Sequence, residues 1–266
     1  VGDISPEAAL IFGILISILG TIWLVKMANE IAAFWALFSI LFYVFIYTIW
    51  LKRTSVQNIV IGGIAGSTPP VIGWGAAEGN LQISMNSFQE FINSIFDIGG
   101  YMPWFMFLLI FLWTPPHFWA LALYRSEEYK KVGVPMLPNV KGKQRTLLEM
   151  KVYAMILILL SITAPLSYHN IEFWNEINLD IGNSLIILNT MTLSIWYGLT
   201  VWKIDITEKN DENNRMPTAS HSFFISLSYL AFMFIALVLS SIGVQGSMIS
   251  LALVIALIFR SRRVVK

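Results

Sequence analysis

Apolar runs of about twenty residues recur along the chain with short polar segments between them, and this spacing constrains the fold more than any single motif. A helix needs roughly 20 residues to cross a hydrocarbon core about 30 Å thick, because each residue advances it by ~1.5 Å. Runs of that kind lie at 7–25, 31–50, 57–77, 103–124, 147–167, 181–202, 221–241 and 247–262, eight in all. The last is short enough to lie partly at the interface. With 56% hydrophobic and 12% charged residues and a mean hydropathy of +0.69, the chain is too apolar for a soluble domain of ordinary composition. The expected fold class is all-α, a polytopic transmembrane helix bundle forming one domain over 1–266, without repeats, low-complexity tracts or a soluble domain.

Charge orients the spans, because lysine and arginine in short loops mark the cytoplasmic side. With the N-terminus cytoplasmic, every basic residue except Lys26 falls on that side, in the segments 52–53, 125–151, 203–215 and 260–266. The opposite loops 78–102 and 168–180 carry Glu78, Glu90, Asp97, Glu172, Glu176 and Asp180 and no basic residue. A miscounted span would scramble this pattern. The net charge of +1, spread over short loops, leaves no basic face for nucleic acid. The absence of cysteine excludes disulfides, zinc–thiolate sites and cysteine nucleophiles. The chain starts at Val1 with no basic segment and cleavage site before the first run, so no signal peptide is expected and the reading frame is expected to begin further upstream.

Three features on the basic side carry candidate chemistry. The loop "YRSEEYKKVGVPMLPNVKGKQR" sets Glu127 and Glu128 among Arg125, Lys130, Lys131, Lys141, Lys143 and Arg145. Topology alone explains the basic residues but not the acids. A magnesium-bound diphosphate wants both, carboxylates for the metal and cations for the phosphate oxygens. Pro135, Pro138, Gly133 and Gly142 predict a folded loop. In "WLKRTSVQNIVIGG", Lys52 and Arg53 close one span and Asn58 opens the next. Capping by Thr54 or Ser55 explains this stretch, and so does an anion at the helix N-terminus. In "FLWTPPHFW", Pro115 and Pro116 precede His117 inside a span. Two prolines remove two backbone donors, so a break or re-entrant bend facing protein or a polar cavity is expected, with His117 either a buried hydrogen-bonding group or a functional residue.

Other residues carry less. His169 and His221 are expected at the interface or as capping groups. Trp74, Trp104, Trp113 and Trp119 fit either a flat aromatic pocket or the interfacial tryptophan belt. The third run, "NIVIGGIAGSTPPVIGWGAA", holds five glycines and a proline pair that favour close contact or a kink, and Gly62 with Gly66 reads as a helix contact.

The stretches "LKRTSVQNIVIGGIAGSTPPVIGW" and "LWTPPHFWALALYRSEEYKKVGVPMLPNVKG" resemble the two signature regions of the protoheme IX farnesyltransferase (haem O synthase) family, a branch of the UbiA-type intramembrane prenyltransferases. Sister families such as 4-hydroxybenzoate polyprenyltransferase lack the proline-proline-histidine run. The resemblance implies about nine helices around a central cavity, farnesyl diphosphate and haem B as substrates, Mg2+ as cofactor, and a bacterial inner membrane as location. Haem A synthase or oxidase assembly proteins are implied as partners, beside the bilayer itself. It further implies that Lys52, Arg53, Asn58, Trp113, Tyr124, Arg125, Lys130 and Lys131 bind diphosphate or substrate. His117 is implied as catalytic and Glu127 and Glu128 as metal ligands, direct or through water. The family's first polar motif and first two helices would precede a stretch like "VGDISP", so the chain as given is expected to lack half of the diphosphate site and to be inactive alone. No role for 247–262 follows from the resemblance. A UbiA-type enzyme with another aromatic acceptor, and a polytopic transporter, are the competing readings.

Overall fold

The computed structural model describes residues 4–79, 81–131, 133–168, 181–211 and 215–263. Among the described residues, eight long helices account for the eight runs. They are α1 (Pro6–Met27), α2 (Glu30–Thr54), α3 (Asn58–Ala77), α5 (Met102–Tyr124), α8 (Lys143–Ile162), α9 (Ile181–Trp202), α10 (Pro217–Ser240) and α11 (Val244–Arg263). Among the described residues, three short α-helices sit between them, α4 (Phe88–Phe96), α6 (Ser126–Lys131) and α7 (Leu137–Lys141), and a short 3-10 helix, Ala164–Tyr168, follows α8. Helices α6 and α7 bear out the folded loop, whereas α4, capped by Ser87 Oγ accepting from Glu90 N at 3.1 Å, was not anticipated. Among the described residues, seven helices are long and apolar enough to cross a membrane. The eighth, α8, carries Lys143, Arg145, Glu149 and Lys151 near its start, yet it buries Met150, Ala154 and Leu157 in the core.

Helix α5 is the axis of the bundle, packed against α3, α8 and α10, while α9 fills the space between α8, α10 and α11. Leu109, Trp119, Ala120 and Leu123 of α5 meet Leu157, Leu193, Tyr197, Tyr229 and Met233 in one core. Several polar groups inside it are paired across helices, although the Trp119 indole N–H and the Tyr197 hydroxyl have no partner among the described residues. Ser161 Oγ lies 2.6 Å from Ser194 Oγ, which lies 3.1 Å from the Tyr229 hydroxyl, while Thr190 Oγ1 donates to the Ser161 carbonyl at 2.9 Å. With no water to compete, such bonds hold helices that gain little from burying apolar surface against lipid. Leu10, Phe12, Trp23, Ile49, Phe224 and Phe259 stay exposed, as expected of a surface solvated by acyl chains.

The two Thr-Pro-Pro stretches behave differently. In α3 the helix stops at Ser67 and resumes at Pro69, with Thr68 Oγ1 donating to the Ala65 carbonyl three residues back at 2.8 Å. The interruption falls where close contact or a kink was anticipated. In α5 the expected break is absent. The helix runs unbroken from Met102 to Tyr124, Thr114 Oγ1 donates to the Ile110 carbonyl four residues back at 2.7 Å, and Thr114, Pro115, Pro116 and His117 are all buried. Packing on three sides holds the backbone helical where the local sequence would let it open. A second unforeseen feature is the π-helical half of α2, Phe42–Leu51, in an otherwise α-helical span.

Candidate active site

Between α2, α3 and α5 lies a cavity of about 620 Å³, within the ~300–1,000 Å³ of ordinary small-molecule sites. The π-helical turns of α2 bring Tyr43 and Tyr47 to its wall, their rings 5.1 Å apart. An i to i+5 helix adds a residue per turn and so re-aims side chains that α-helical spacing would place elsewhere. The glycine face of α3 makes the room. A methyl on Gly62 would strike the Tyr47 ring and one on Gly63 would come within 3.3 Å of Thr114, but Gly66 has nothing within 4 Å and opens into the cavity. The pair Gly62 and Gly66 is thus one contact and one opening. Ile110, Trp113, Thr114 and Phe118 of α5 complete the wall. A larger groove of about 710 Å³ between α1 and α2 is lined by apolar residues with only Ser17 and Thr21 polar and no charged residue among them, so it fits lipid chains.

Charge collects at one end of the cavity. The Lys52 ammonium lies 5.9 Å from the centre of the Tyr47 ring, and Arg53 is exposed with no ion pair among the described residues. Ile59 and Phe118, both in the cavity wall, also pack with Tyr129, Val134 and Met136, so the segment after α5 closes that same end. Burial raises the Tyr129 phenol above its ordinary pKa, with Arg125 opposing and Glu128 adding to the shift. Tyr124 carries two guanidiniums near its ring, Arg125 at 5.7 Å and Arg215 at 5.3 Å. Glu128 meets both, 3.3 Å from Arg125 and 3.8 Å from Arg215, and Arg215 donates to the Tyr124 hydroxyl at 3.1 Å.

Arg215 was not among the residues expected in the site. Its backbone is fixed from the α9–α10 connection: its N–H donates to Asp211 Oδ1 at 2.8 Å and its carbonyl accepts from Asp211 N at 2.8 Å. Just beyond, Glu208 Oε1 accepts from both the backbone and the hydroxyl of Thr218, at 2.9 and 2.8 Å, capping α10. Span parity puts Arg215 on the basic side with Lys203 and Lys209, but only the fold selects it from the three.

The other expected residues divide. Asn58 is buried and its side-chain amide donates to the Ser55 carbonyl at 2.7 Å, so it closes the turn between α2 and α3. Lys130 and Lys131 belong to α6 by their backbone, and their side chains lie outside the described atoms, as His169 lies outside the described residues. Of the four tryptophans considered, Trp113 lines the cavity, Trp119 is core, Trp104 stacks on Phe96 and Trp74 belongs to a separate pocket. His221 lines a different cavity between α9 and α10. Among the described residues no three acids or histidines converge to hold a metal. Glu127 and Glu128 suit Mg2+ only as one or two carboxylates completed by substrate phosphates, which is how that ion is ordinarily held.

His117 is buried and stacks on a residue of the cavity wall. Its imidazole is stacked between Trp113, with ring centres 4.2 Å apart, and Phe223 of α10, 4.7 Å away. Its Nδ1 lies 2.6 Å from Ser226 Oγ, and the Trp113 indole N–H donates to the Ser226 carbonyl at 2.9 Å. The residue is therefore held by α10 as well as by its own helix.

An apolar chamber inside a membrane bundle, with cations and carboxylates at one mouth, suits an amphiphile that has a long hydrocarbon tail and an anionic head. The sequence pattern of the UbiA prenyltransferase family matches residues 1–175, and the chain belongs to that family. It is similar to the protoheme IX farnesyltransferase of Bartonella tribocorum, at 36% identity over 91% of this chain and 67% of the relative. The same-named protein of Bartonella bacilliformis is 40% identical over 88% of this chain and 65% of the relative. That of Beijerinckia indica is 47% identical over 60% of this chain and 44% of the relative. The chain thus spans about two thirds or less of the length of these relatives. No solved structure matches it.

Proposed function

We propose that this chain forms the larger part of an intramembrane prenyltransferase that moves the farnesyl group of farnesyl diphosphate to a vinyl group of haem B, giving haem O. The observation that carries the reading is the apolar cavity of Tyr43, Tyr47, Gly66 and Trp113, with Lys52 near the Tyr47 ring and, packed on its Ile59 and Phe118 wall, Tyr129, whose phenol feels both Arg125 and Glu128. The acceptor is taken from the relatives' names.

Lys52, Arg53, Arg125 and Arg215 bind the diphosphate oxygens, where negative charge grows as the farnesyl C1–O bond breaks. Fixed cations stabilise that charge more in the transition state than in the ground state. Mg2+ held by Glu127 or Glu128 together with the diphosphate would neutralise part of the same charge. The faces of Tyr43, Tyr47 and Trp113 favour an allylic cation held beside them. The terminal vinyl carbon then forms a bond to C1, and the cation left next to the porphyrin takes up water and loses one proton. Incubating membranes with haem B and farnesyl diphosphate and weighing the extracted porphyrin tests this. A hydroxyethylfarnesyl product supports it. Prenylation of a different aromatic acceptor, or uptake with no covalent product, counts against it.

If the cavity holds the farnesyl chain, Gly66→Leu is expected to fill it and lower turnover at least about tenfold. A lost fit of this kind is worth about 1–3 kcal/mol. Detergent-extracted protein should stay folded, because a Cβ at position 66 meets nothing within 4 Å. The basic side is proposed to face the cytoplasm. The chain has no cysteine, so single substitutions report without background. Gln57→Cys should react with an impermeant maleimide only in inside-out vesicles and Met85→Cys only in right-side-out ones. The reverse pattern would invert the assignment.

A further inference from the structure

We infer that Ser226 is a positioning residue that fixes which nitrogen of His117 carries the proton, so that the neutral ring presents Nε2 as a bare lone pair. The inference deepens the proposed function and rests on it for the use made of that lone pair. The geometry of the pair stands independently.

Ser226 Oγ lies 2.6 Å from the Phe223 carbonyl and 2.6 Å from His117 Nδ1. A carbonyl oxygen only accepts, so the single hydroxyl proton lies between Ser226 and Phe223. The contact with the imidazole can then be a hydrogen bond only if Nδ1 donates to the serine oxygen. In the neutral ring this leaves Nε2 unprotonated, and among the described residues His117 makes no other hydrogen bond. Stacking by Trp113 and Phe223 blocks rotation of the ring, and the Trp113 indole bond to the Ser226 carbonyl ties the two helices at the same level. One residue of α10 therefore holds both the histidine and the cavity-lining indole it stacks on.

A lone pair suits an acceptor, either of the proton released when water adds to the porphyrin-conjugated cation or of a porphyrin's iron. It does not suit a proton donor. Ser226→Ala removes the acceptor and frees Nδ1, so the other tautomer becomes populated and kcat is expected to fall about 10- to 100-fold, the cost usual for losing a group that orients a ligating or catalytic histidine. Ser226→Thr keeps the hydroxyl and is expected to restore most of the rate.

The experiment is nitrogen NMR of the protein carrying 15N-histidine in lipid nanodiscs. His169→Gln and His221→Gln identify the signals, since the chain has three histidines. The native protein should show His117 with a protonated Nδ1 and a deshielded, unprotonated Nε2. Ser226→Ala should shift that pattern towards protonated Nε2, and Ser226→Thr should retain it. A native spectrum with the proton on Nε2, or a tautomer indifferent to Ser226→Ala, overturns the inference. Because the spectrum needs no substrate, failure to make haem O would sink the functional reading while leaving this readout intact. Addition of haem B separates the two uses: a Soret shift that His117→Phe abolishes assigns the lone pair to iron, and its absence assigns it to the proton.

Discussion

Arg215→Ala is expected to raise the KM for farnesyl diphosphate and lower kcat/KM about 10- to 50-fold. A charge-assisted hydrogen bond to phosphate is worth about 1.5–3 kcal/mol, and the partial exposure of this side chain argues for the lower half of that range. The guanidinium is anchored on the Tyr124 hydroxyl at 3.1 Å and near Glu128, so it arrives oriented. Arg215→Lys should recover only part of the loss, because an ammonium cannot both bond Tyr124 and meet a phosphate edge with a planar fork. Tyr124→Phe keeps the ring under both guanidiniums and removes one anchor, so a smaller effect is expected. Steady-state kinetics in nanodiscs decide it. An unchanged KM in Arg215→Ala would remove the residue from the site and leave it as a topological charge.

The second large effect belongs to His117. His117→Phe is expected to preserve the stack between Trp113 and Phe223, leaving stability within about 1 kcal/mol, while lowering turnover about 10²- to 10⁴-fold, the range for losing a positioned acid or base. His117→Ala should lose activity and stability together, since deleting a buried ring leaves a void that costs several kcal/mol, roughly 3–5 for aromatic side chains. Comparing the two separates packing from chemistry. If the phenylalanine variant farnesylates haem B at the native rate, the imidazole is only a core ring.

Much of this protein is legible along the chain because a bilayer asks simple things of a sequence. Span length and the one-sided placement of lysine and arginine need no tertiary knowledge, and the eight runs became the eight long helices. The clustering of Arg125, Glu128 and Tyr129 was legible too, since neighbours in sequence on a short helix stay neighbours in space. Residues 91 and 109 positions apart are a different matter. Arg215 meets Tyr124, and Ser226 meets His117, only because α10 packs along α5, and nothing local to "NRMPT" or "FFISLS" announces it. The π-helical half of α2 is equally silent in its sequence, "FYVFIYTIWL", which reads as an ordinary apolar helix.

The tripeptide Thr-Pro-Pro marks the boundary most sharply. Sequence alone determined that two backbone donors are missing at 69–70 and again at 115–116, and that each threonine would seek a carbonyl one turn back. Tertiary structure decided what followed. In α3, where Gly66 leaves one side open, Thr68 bonds three residues back and the helix breaks. In α5, enclosed by α3, α8 and α10, Thr114 bonds four residues back and the helix continues. Local chemistry sets which bonds can form, but which of two near-equal backbone paths is lower depends on the neighbours each path keeps, and those belong to the fold.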